Sequence, residues 1–196
     1  MNREELEELL TELDDALVQA FPGPEPIRVL VVGGACLLFA GVTTRPTEDI
    51  DVIITDLLGT GEATLVTNLT KTTRKVRRII DGIGKSHGFK GDKRMFLNDD
   101  CAPFLVELGA IPPVRLLRSY QKLHLYIPAD LSYILACKLI ACREDKDLED
   151  IATLRKLLRI TTRAQAQQVV NQFFPDRGLQ EIYALSKNLD RVFGAE

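Results

Sequence analysis

Apolar positions in the first fifty residues predict one helix followed by two short buried strands. Leucines and alanines recur at three- and four-residue spacing over residues 2–20, which predicts an amphipathic helix. Three prolines within residues 22–26 end this helix, because proline cannot continue the helical backbone. The β-branched runs at residues 27–32 and 50–54 predict buried strands. A short buried helix over residues 35–40 is predicted between them.

The middle of the chain predicts a long helix and three further strands. Residues 62–85 place valine and isoleucine on one side and basic side chains on the other, which predicts a half-exposed helix. The apolar segments 95–97 and 104–108 predict short strands. Residues 121–127 alternate between apolar and polar side chains, so we expect a strand with one exposed face. The predicted outward positions of that strand are Lys122, His124 and Tyr126.

The last third of the chain is helical in its periodicity. Helices are predicted over residues 128–141 and 146–158 and on either side of Pro175. Because strands precede this part and helices fill it, the sequence predicts an α+β fold with a C-terminal helical part. We expect a core formed by residues 1–127, which includes the N-terminal helix, and a C-terminal helical region, residues 128–196, packed on it.

Composition excludes several classes of protein. Hydrophobic residues make up 45% of the 196 residues and charged residues 27%, with a net charge of −3, as in a soluble globular protein. No apolar run approaches the roughly 20 residues of a membrane span. The acidic N-terminus is unlike a targeting segment, so a cytoplasmic location is expected. The cysteines lack CxxC spacing, which favours free buried thiols over disulfides or a zinc site: Cys36, Cys101, Cys137 and Cys142.

Asp49 and Asp51 are the first candidates for chemistry. Side chains at positions i and i+2 of a strand project from the same face, so the two carboxylates lie side by side. Such a pair repels unless a cation or a proton intervenes, and oxygen ligands suit Mg²⁺ or Mn²⁺. An isolated pair of this kind is also typical of an ordinary surface turn, so the pair alone does not decide its role.

A glycine pair upstream favours a functional role. Gly33 and Gly34 follow the first strand and let the backbone point its N–H groups at phosphate oxygens. The helix that follows directs its N-terminus to the same place, which favours anions. Arg45 and Thr47 precede the acid pair and are expected to contact phosphate or to position the loop. An anion cradle beside a metal-binding pair is what a nucleoside triphosphate requires.

The segment that contains these residues reads VVGGACLLFAGVTTRPTEDIDV (residues 31–52). It resembles the signature of the DNA polymerase β-like nucleotidyltransferases, in which a strand ending in two small residues precedes a helix and an Asp-x-Asp strand. The Arg-x-Thr before the acids is similar to the minimal bacterial branch with the abortive-infection (AbiEii-like) toxin nucleotidyltransferases. The resemblance implies a nucleotidyltransferase-like mixed sheet flanked by helices, NTP as substrate and Mg²⁺ or Mn²⁺ held by Asp49 and Asp51.

A second block, LACKLIACREDKDLEDI (residues 135–151), resembles the helix pair that follows the catalytic core in the same proteins. The resemblance implies that Lys138 reaches the triphosphate and that Asp147 and Asp150 organise the helix junction. Acidic residues in the first turn of a helix are also favourable on their own, so their presence has a purely structural interpretation too.

Members of the superfamily often have a third carboxylate on a later strand. Glu107 is the candidate, because an acid within the apolar segment 104–108 is costly to bury without a partner. It would complete the site as a third ligand and orient or deprotonate the acceptor hydroxyl. Asp99 and Asp100 are the alternatives, although their surroundings predict a turn.

A basic segment completes the candidates. Nine lysines and arginines against two aspartates lie between Lys71 and Arg94 in an otherwise acidic chain. This segment would bind an acceptor nucleic acid or the triphosphate tail, or it is simply the solvated face of a helix. Neither His87 nor His124 is assigned a role.

The leading hypothesis is an enzyme that transfers a nucleotidyl group from an NTP to an acceptor hydroxyl, releasing pyrophosphate. The acceptor would be a tRNA, a protein or a small molecule, and the resemblance implies a toxin–antitoxin or defence setting with a cognate antitoxin. The alternative is an inactive nucleotide-binding or protein-interaction module of the same fold, suggested by the glutamate at Glu107 where aspartate is commoner. A nucleic-acid-binding regulator that uses the basic segment is a third hypothesis.

Overall fold

A computed structural model describes residues 1–54, 70–90, 95–102, 105 and 111–194. The described residues form a five-stranded sheet and eight helices around it. The strands are β1 (Ile27–Val31), β2 (Ile50–Ile54), β3 (Leu97–Asn98), β4 (Val114–Ser119) and β5 (Leu123–Pro128). The helices are α1 (Arg3–Ala20), α2 (Gly33–Phe39), α3 (Lys71–Ser86), α4 (Ser132–Ala141), α5 (Asp147–Leu158), α6 (Arg163–Phe173), α7 (Arg177–Ile182) and α8 (Leu185–Phe193).

The sheet is mixed, with strand order β3-β2-β1-β5-β4. Strand β1 at its centre runs antiparallel to β2 and parallel to β5, while β3 runs parallel to β2 and β4 antiparallel to β5. The register places Val31 opposite Val52 and Asp51 opposite Asn98. The sheet is flanked by helices and followed by C-terminal ones, which confirms the predicted α+β class.

One cluster of buried apolar side chains extends from α1 to α8. Helix α4 is its centre in the C-terminal part, since it packs against α5, α6 and α8 and also against α2. The C-terminal helices therefore share a core with the sheet. All four cysteines are free. Within the described ranges, no helix is both long enough and apolar enough to cross a membrane.

Several predicted boundaries were wrong. Helix α2 begins at Gly33, two residues before the predicted start. Helix α3 begins at Lys71, because the Thr70 side chain accepts a hydrogen bond from the Thr73 amide and caps it, so the predicted helix is not continuous through Thr70. The predicted segment 62–69 lies outside the described residues. Leu105 is helical, although it falls in a predicted strand.

The region around Pro128 also differs from the prediction. Strand β4 was not predicted, because residues 114–119 show no clean alternation, and it lies at the sheet edge. Pro128 closes β5, and α4 begins only at Ser132. Lys122 was expected to point outward but is buried, with its amine donating to the carbonyl oxygen of Gly23 at 2.6 Å. Three helices rather than two follow α5.

A buried aspartate ties α1 to the turn between β4 and β5. Asp14 accepts hydrogen bonds from three consecutive backbone amides, those of Gln121 at 3.1 Å, Lys122 at 2.7 Å and Leu123 at 2.6 Å. Hydrogen bonds to an ionised group are stronger than neutral ones, and a buried amide without a partner is costly. The N-terminal helix is thereby fixed against the strand that neighbours β1.

We expect Asp14→Ala to lower the free energy of unfolding by about 3 kcal/mol, because three backbone amides, two of them buried, lose their acceptor. Asp15→Ala is the matched control, since Asp15 is exposed on the next position of the same helix, and we expect a change within about 0.5 kcal/mol. Urea unfolding at neutral pH measures both. Equal unfolding midpoints for the two variants would show that the Asp14 contacts contribute little.

Candidate active site

The two acids lie where the end of β1 meets the start of β2. The Val32 amide donates to the carbonyl oxygen of Asp51 at 2.9 Å, which brings the β1–α2 turn against β2. Gly33 has a φ of +63°, and a Cβ at this position would overlap the Asp51 carboxylate. The position therefore requires glycine both for its backbone conformation and for space. The Asp51 carboxylate rests directly on the Gly33 backbone.

Asn98 is the nearest polar partner of the acid pair. Strand β3 pairs in parallel with β2 so that Asn98 lies opposite Asp51, and its amide nitrogen donates to Oδ2 of Asp49 at 2.7 Å. Asp49 and Asp51 both line the same cleft, as the i, i+2 spacing predicted. The cluster therefore contains two carboxylates, whose oxygens suit a hard cation, and one carboxamide that directs its nitrogen to Asp49 and its oxygen to the Asp100 amide.

The loop before β2 is held by its own side chains. The Thr47 hydroxyl donates to the carbonyl oxygen of Asp49 at 2.8 Å, and the Arg45 amide donates to the Thr43 hydroxyl at 3.1 Å. The Thr47 amide donates to the carbonyl oxygen of Met1 at 3.0 Å, which anchors the loop to the start of α1. The Thr47 side chain also lies beside Gly34, at van der Waals distance from where a Cβ would be.

A buried cluster of ion pairs connects this loop to helices α4 and α5. Lys138 of α4 lies 2.9 Å from an oxygen of Asp147 and 2.7 Å from an oxygen of Asp150, and its side chain is 6% exposed. The guanidinium of Arg45 lies 2.7 Å from the same Oδ2 of Asp150. Asp150 thus joins the loop before the acid pair to helix α4. This geometry agrees with the predicted organising role of Asp147 and Asp150 at the helix junction.

Arg143 lies on the opposite side of Asp147. Its backbone amide and Nε donate to Oδ2 of Asp147 at 2.9 and 3.0 Å, and its Nη2 donates to Oδ1 at 3.2 Å. The side chain is 54% exposed. Lys146, three residues further on, forms an ion pair with Glu48 at 2.9 Å. The acid pair is therefore flanked by positive side chains from the α4–α5 connection.

The pKa values of two carboxyls in this site are shifted in opposite directions. Burial and the neighbouring charge of Asp49 raise the pKa of Asp51 to about 6. Burial acts against ionisation of Asp147 as well, but hydrogen bonds from Arg143 and the charge of Lys138 outweigh it and lower its pKa to about 2. Asp147 is therefore ionised at neutral pH, whereas the ionised form of Asp51 would be stabilised by a bound cation.

Two cavities meet at these residues. A polar cleft of about 350 Å³ is lined by the loop residues, the acid pair and the positive side chains. A more apolar cavity of about 200 Å³ adjoins it and is lined by Val32, Cys101 and Cys137 among others. Asp51, Lys138 and Arg143 line both cavities. A ligand in either cavity would therefore lie beside Asp51.

The structure brings most of the predicted site residues together. The polar cleft is lined by Gly34, Arg45, Thr47, Asp49, Asp51 and Lys138, and Gly33 lines the adjoining cavity. Glu107 lies outside the described residues, so its role stays a prediction. Among the described residues, no three acidic, histidine or cysteine side chains form a metal-binding group. Asp49 and Asp51 supply two ligands of that class.

The alternatives to Glu107 lie apart from the cleft lining. Asp99 is buried and forms an ion pair with Arg77 of α3 at 2.7 Å, and Asp100 is exposed.

Part of the basic segment is used in packing, since the Lys75 amine contacts the carbonyl oxygen of Ala20 and lies 4.6 Å from the centre of the Phe21 ring. The basic face is therefore only partly available to a ligand.

Two site residues were missed in the sequence. Asn98 gave no signal, because a single asparagine before two aspartates is typical of a turn. Arg143 stands four residues before Asp147, and that spacing across a helix junction is a signal that could have identified it.

Comparison of the chain with protein-family models, curated proteins and solved structures found no match in any of the three.

We expect Gly33→Ala to displace the Asp51 carboxylate, because the new methyl group would occupy its space, and so to weaken any binding of a divalent cation at the acid pair. Gly41→Ala is the matched control: its φ is +71° but open space surrounds it, so it introduces backbone strain of about 1 kcal/mol without the clash. Thermal unfolding and titration with Mn²⁺ measure both effects. Equal Mn²⁺ affinity in the two variants would contradict the close contact.

We also expect Asp51 to make the unliganded protein less stable as pH rises. A carboxyl whose pKa is raised by folding holds a proton that the unfolded chain has released, so its contribution is full below pH 4 and is lost as pH passes 6. A rise from 3.8 to about 6 corresponds to about 3 kcal/mol. In EDTA, Asp51→Asn should therefore be more stable than the wild type at pH 7.5 and equal to it near pH 4.

The control for this pH profile is Asp100→Asn, an exposed aspartate two residues beyond Asn98. Its unfolding free energy should follow that of the wild type at every pH. If the profile of Asp51→Asn also runs parallel to the wild type between pH 4 and 7.5, Asp51 is not the group with the raised pKa.

Proposed function

We propose that this chain is a metal-dependent nucleotidyltransferase that moves a nucleotidyl group from an NTP to an acceptor hydroxyl in the cytoplasm. The observation that supports this proposal best is the contact between the Gly33 backbone and the Asp51 carboxylate, with Asp49 beside it and Arg143 across the cleft. A cation site and an anion site thereby adjoin each other, as a metal–triphosphate complex requires.

The donor set fits Mg²⁺ or Mn²⁺. Asp49 and Asp51 would hold the ion, since carboxylate oxygens are the ligands these cations prefer, and a bound cation relieves the repulsion that raises the pKa of Asp51. Such an ion supplies Lewis-acid stabilisation of the charge that develops on transferred and leaving phosphates. Asn98 fixes the Asp49 carboxylate through its amide, and Glu107 remains the predicted third carboxylate.

The rest of the cleft would bind and orient the triphosphate. The amides at the start of α2 adjoin the acid pair, and the loop with Thr47 positions Asp49 through its backbone. Arg45, Lys138, Arg143 and Lys146 bring positive side chains to the lining, alongside the carboxylates of Glu48, Asp145 and the acid pair. Holding the reacting groups in one geometry accounts for a large part of the rate in transfers of this kind.

The resemblance to the AbiEii-like branch suggests the biological setting. It favours a toxin–antitoxin or defence system, an acceptor that is a tRNA, a protein or a small molecule, and a cognate antitoxin as partner. The partly exposed basic face of α3, with Lys71 and Arg78 exposed, favours an acceptor with phosphate groups over an uncharged one.

A second candidate function is an inactive nucleotide-binding module of the same fold. Asn98 favours it, because the residue paired with Asp51 on the neighbouring strand is a neutral amide that adds no charge to the pair. Such a module would bind a metal–nucleotide complex at Asp49 and Asp51 but would not turn it over.

Transfer of label from α-³²P NTPs to total RNA or protein, with Mg²⁺ or Mn²⁺, tests the proposal. We expect transfer by the wild type and a loss of about 1,000-fold in Asp49→Asn and Asp51→Asn, since several kcal/mol of charge stabilisation disappear. Asp100→Asn should retain full activity. Calorimetry with NTP and Mg²⁺ separates the two candidates, because binding without transfer identifies the inactive module.

A further inference from the structure

We infer that Arg143 is the residue that binds the phosphate oxyanions of the ligand, and that the buried Lys138 serves to hold Asp147 in place beneath it. This inference rests on the proposed function, because it names the side chain that contacts the triphosphate. It differs from the role that the sequence resemblance implied, which gave the phosphate contact to Lys138.

The charge of Lys138 is already compensated. Its amine lies between Asp147 at 2.9 Å and Asp150 at 2.7 Å, and only 6% of the side chain is exposed. Movement of the amine towards a phosphate would leave two buried carboxylates with weaker partners, which is strongly unfavourable. Lys138 therefore stabilises the site from within and has little charge to offer a ligand.

Arg143 has the opposite properties. More than half of its side chain is exposed, and it lines both cavities beside Asp51. Its guanidinium uses Nε and Nη2 to bind Asp147. Within the described residues, Nη1 takes part in no hydrogen bond, so its two N–H groups are available to an oxyanion. A planar guanidinium suits phosphate oxygens because it donates two parallel hydrogen bonds.

The direction of the Arg143 side chain is fixed before any ligand arrives. Helix α4 ends at Ala141, and the next residue, Cys142, has a φ of +40° that turns the chain so that the Arg143 amide reaches Asp147 at 2.9 Å. Asp147 stays ionised across the physiological pH range, since its pKa is about 2. A side chain held in this way loses little conformational freedom when it binds an anion.

The position of Arg143 relative to the acid pair suits a bound polyphosphate. The hydrogen bonds that the guanidinium donates to Asp147 raise its pKa, and the charges of Asp51 and Asp49 raise it further, so the acid pair acts electrostatically on Arg143. An anion on Arg143 would thus lie next to a cation on the acid pair. Lys146 and Arg45 also form ion pairs, with Glu48 and Asp150, but unlike Arg143 they line only the polar cleft and not the adjoining cavity.

Calorimetric titration of the full chain with inorganic tripolyphosphate and Mg²⁺ tests this inference. We expect Arg143→Ala to weaken binding at least about 10-fold and Arg143→Lys to weaken it about 5-fold, because lysine keeps the charge but loses the paired hydrogen bonds. Arg118→Ala is the matched control: Arg118 lies on the distant strand β4, is 41% exposed and forms an ion pair with Glu7 of α1. Its affinity should stay within about twofold of the wild type.

Three outcomes would overturn the inference: no tripolyphosphate binding by the wild type, equal binding by Arg143→Ala, or a loss confined to Lys146→Ala. Failure of the proposed function would give a different result: tripolyphosphate binding would still depend on Arg143, but no label would be transferred from the NTP. Transfer by Arg143→Ala with an unchanged KM for NTP would overturn the role of Arg143 and leave the proposed function standing. Thermal unfolding of Arg143→Ala close to the wild type excludes misfolding as the cause of lost binding.

Discussion

The pairing of Lys138 with two buried carboxylates is the constraint on which the site depends. A buried cation and two buried anions are each costly alone, and they are tolerated here because Asp147 and Asp150 also receive hydrogen bonds from Arg143 and Arg45. Through Asp150 the cluster holds the loop before Asp49, and through Asp147 it holds Arg143. Loss of the central lysine would therefore be transmitted to both halves of the cleft at once.

The contact between Gly33 and Asp51 is the second constraint, and it acts through backbone geometry. Strands β1 and β2 are paired up to Val31 and Val52, and after β1 the chain turns into α2 at Gly33, beside Asp51 of β2. A side chain at Gly33 would occupy the space of the Asp51 carboxylate. The acid and the helix amides can approach each other this closely only because this residue lacks a Cβ.

The sequence was most informative where the chemistry is local. The strands at 27–32 and 50–54, the acid pair and the glycines were predictable because strand periodicity and short motifs depend on neighbouring residues. Asn98 was not predictable, since its place beside Asp49 follows from a parallel strand pairing between segments almost fifty residues apart. Lys122 was misplaced for a similar reason: its burial is set by Asp14 and Gly23, which are distant in the chain.

The two perturbed carboxyls divide the cleft into unlike halves. Around Asp147 the charge of Lys138 is compensated by Asp147 and Asp150, and the half-exposed guanidinium of Arg143 faces the cleft, so this half attracts anions. Around Asp51 the negative charge of Asp49 is reinforced by burial, so this half attracts a cation or a proton. Because Asp51 and Arg143 line both adjoining cavities, a ligand that carries a cation and phosphates together satisfies both side chains, whereas a simple anion or a simple cation satisfies only one. That asymmetry is a physical reason to favour a metal–nucleotide complex over either ion alone.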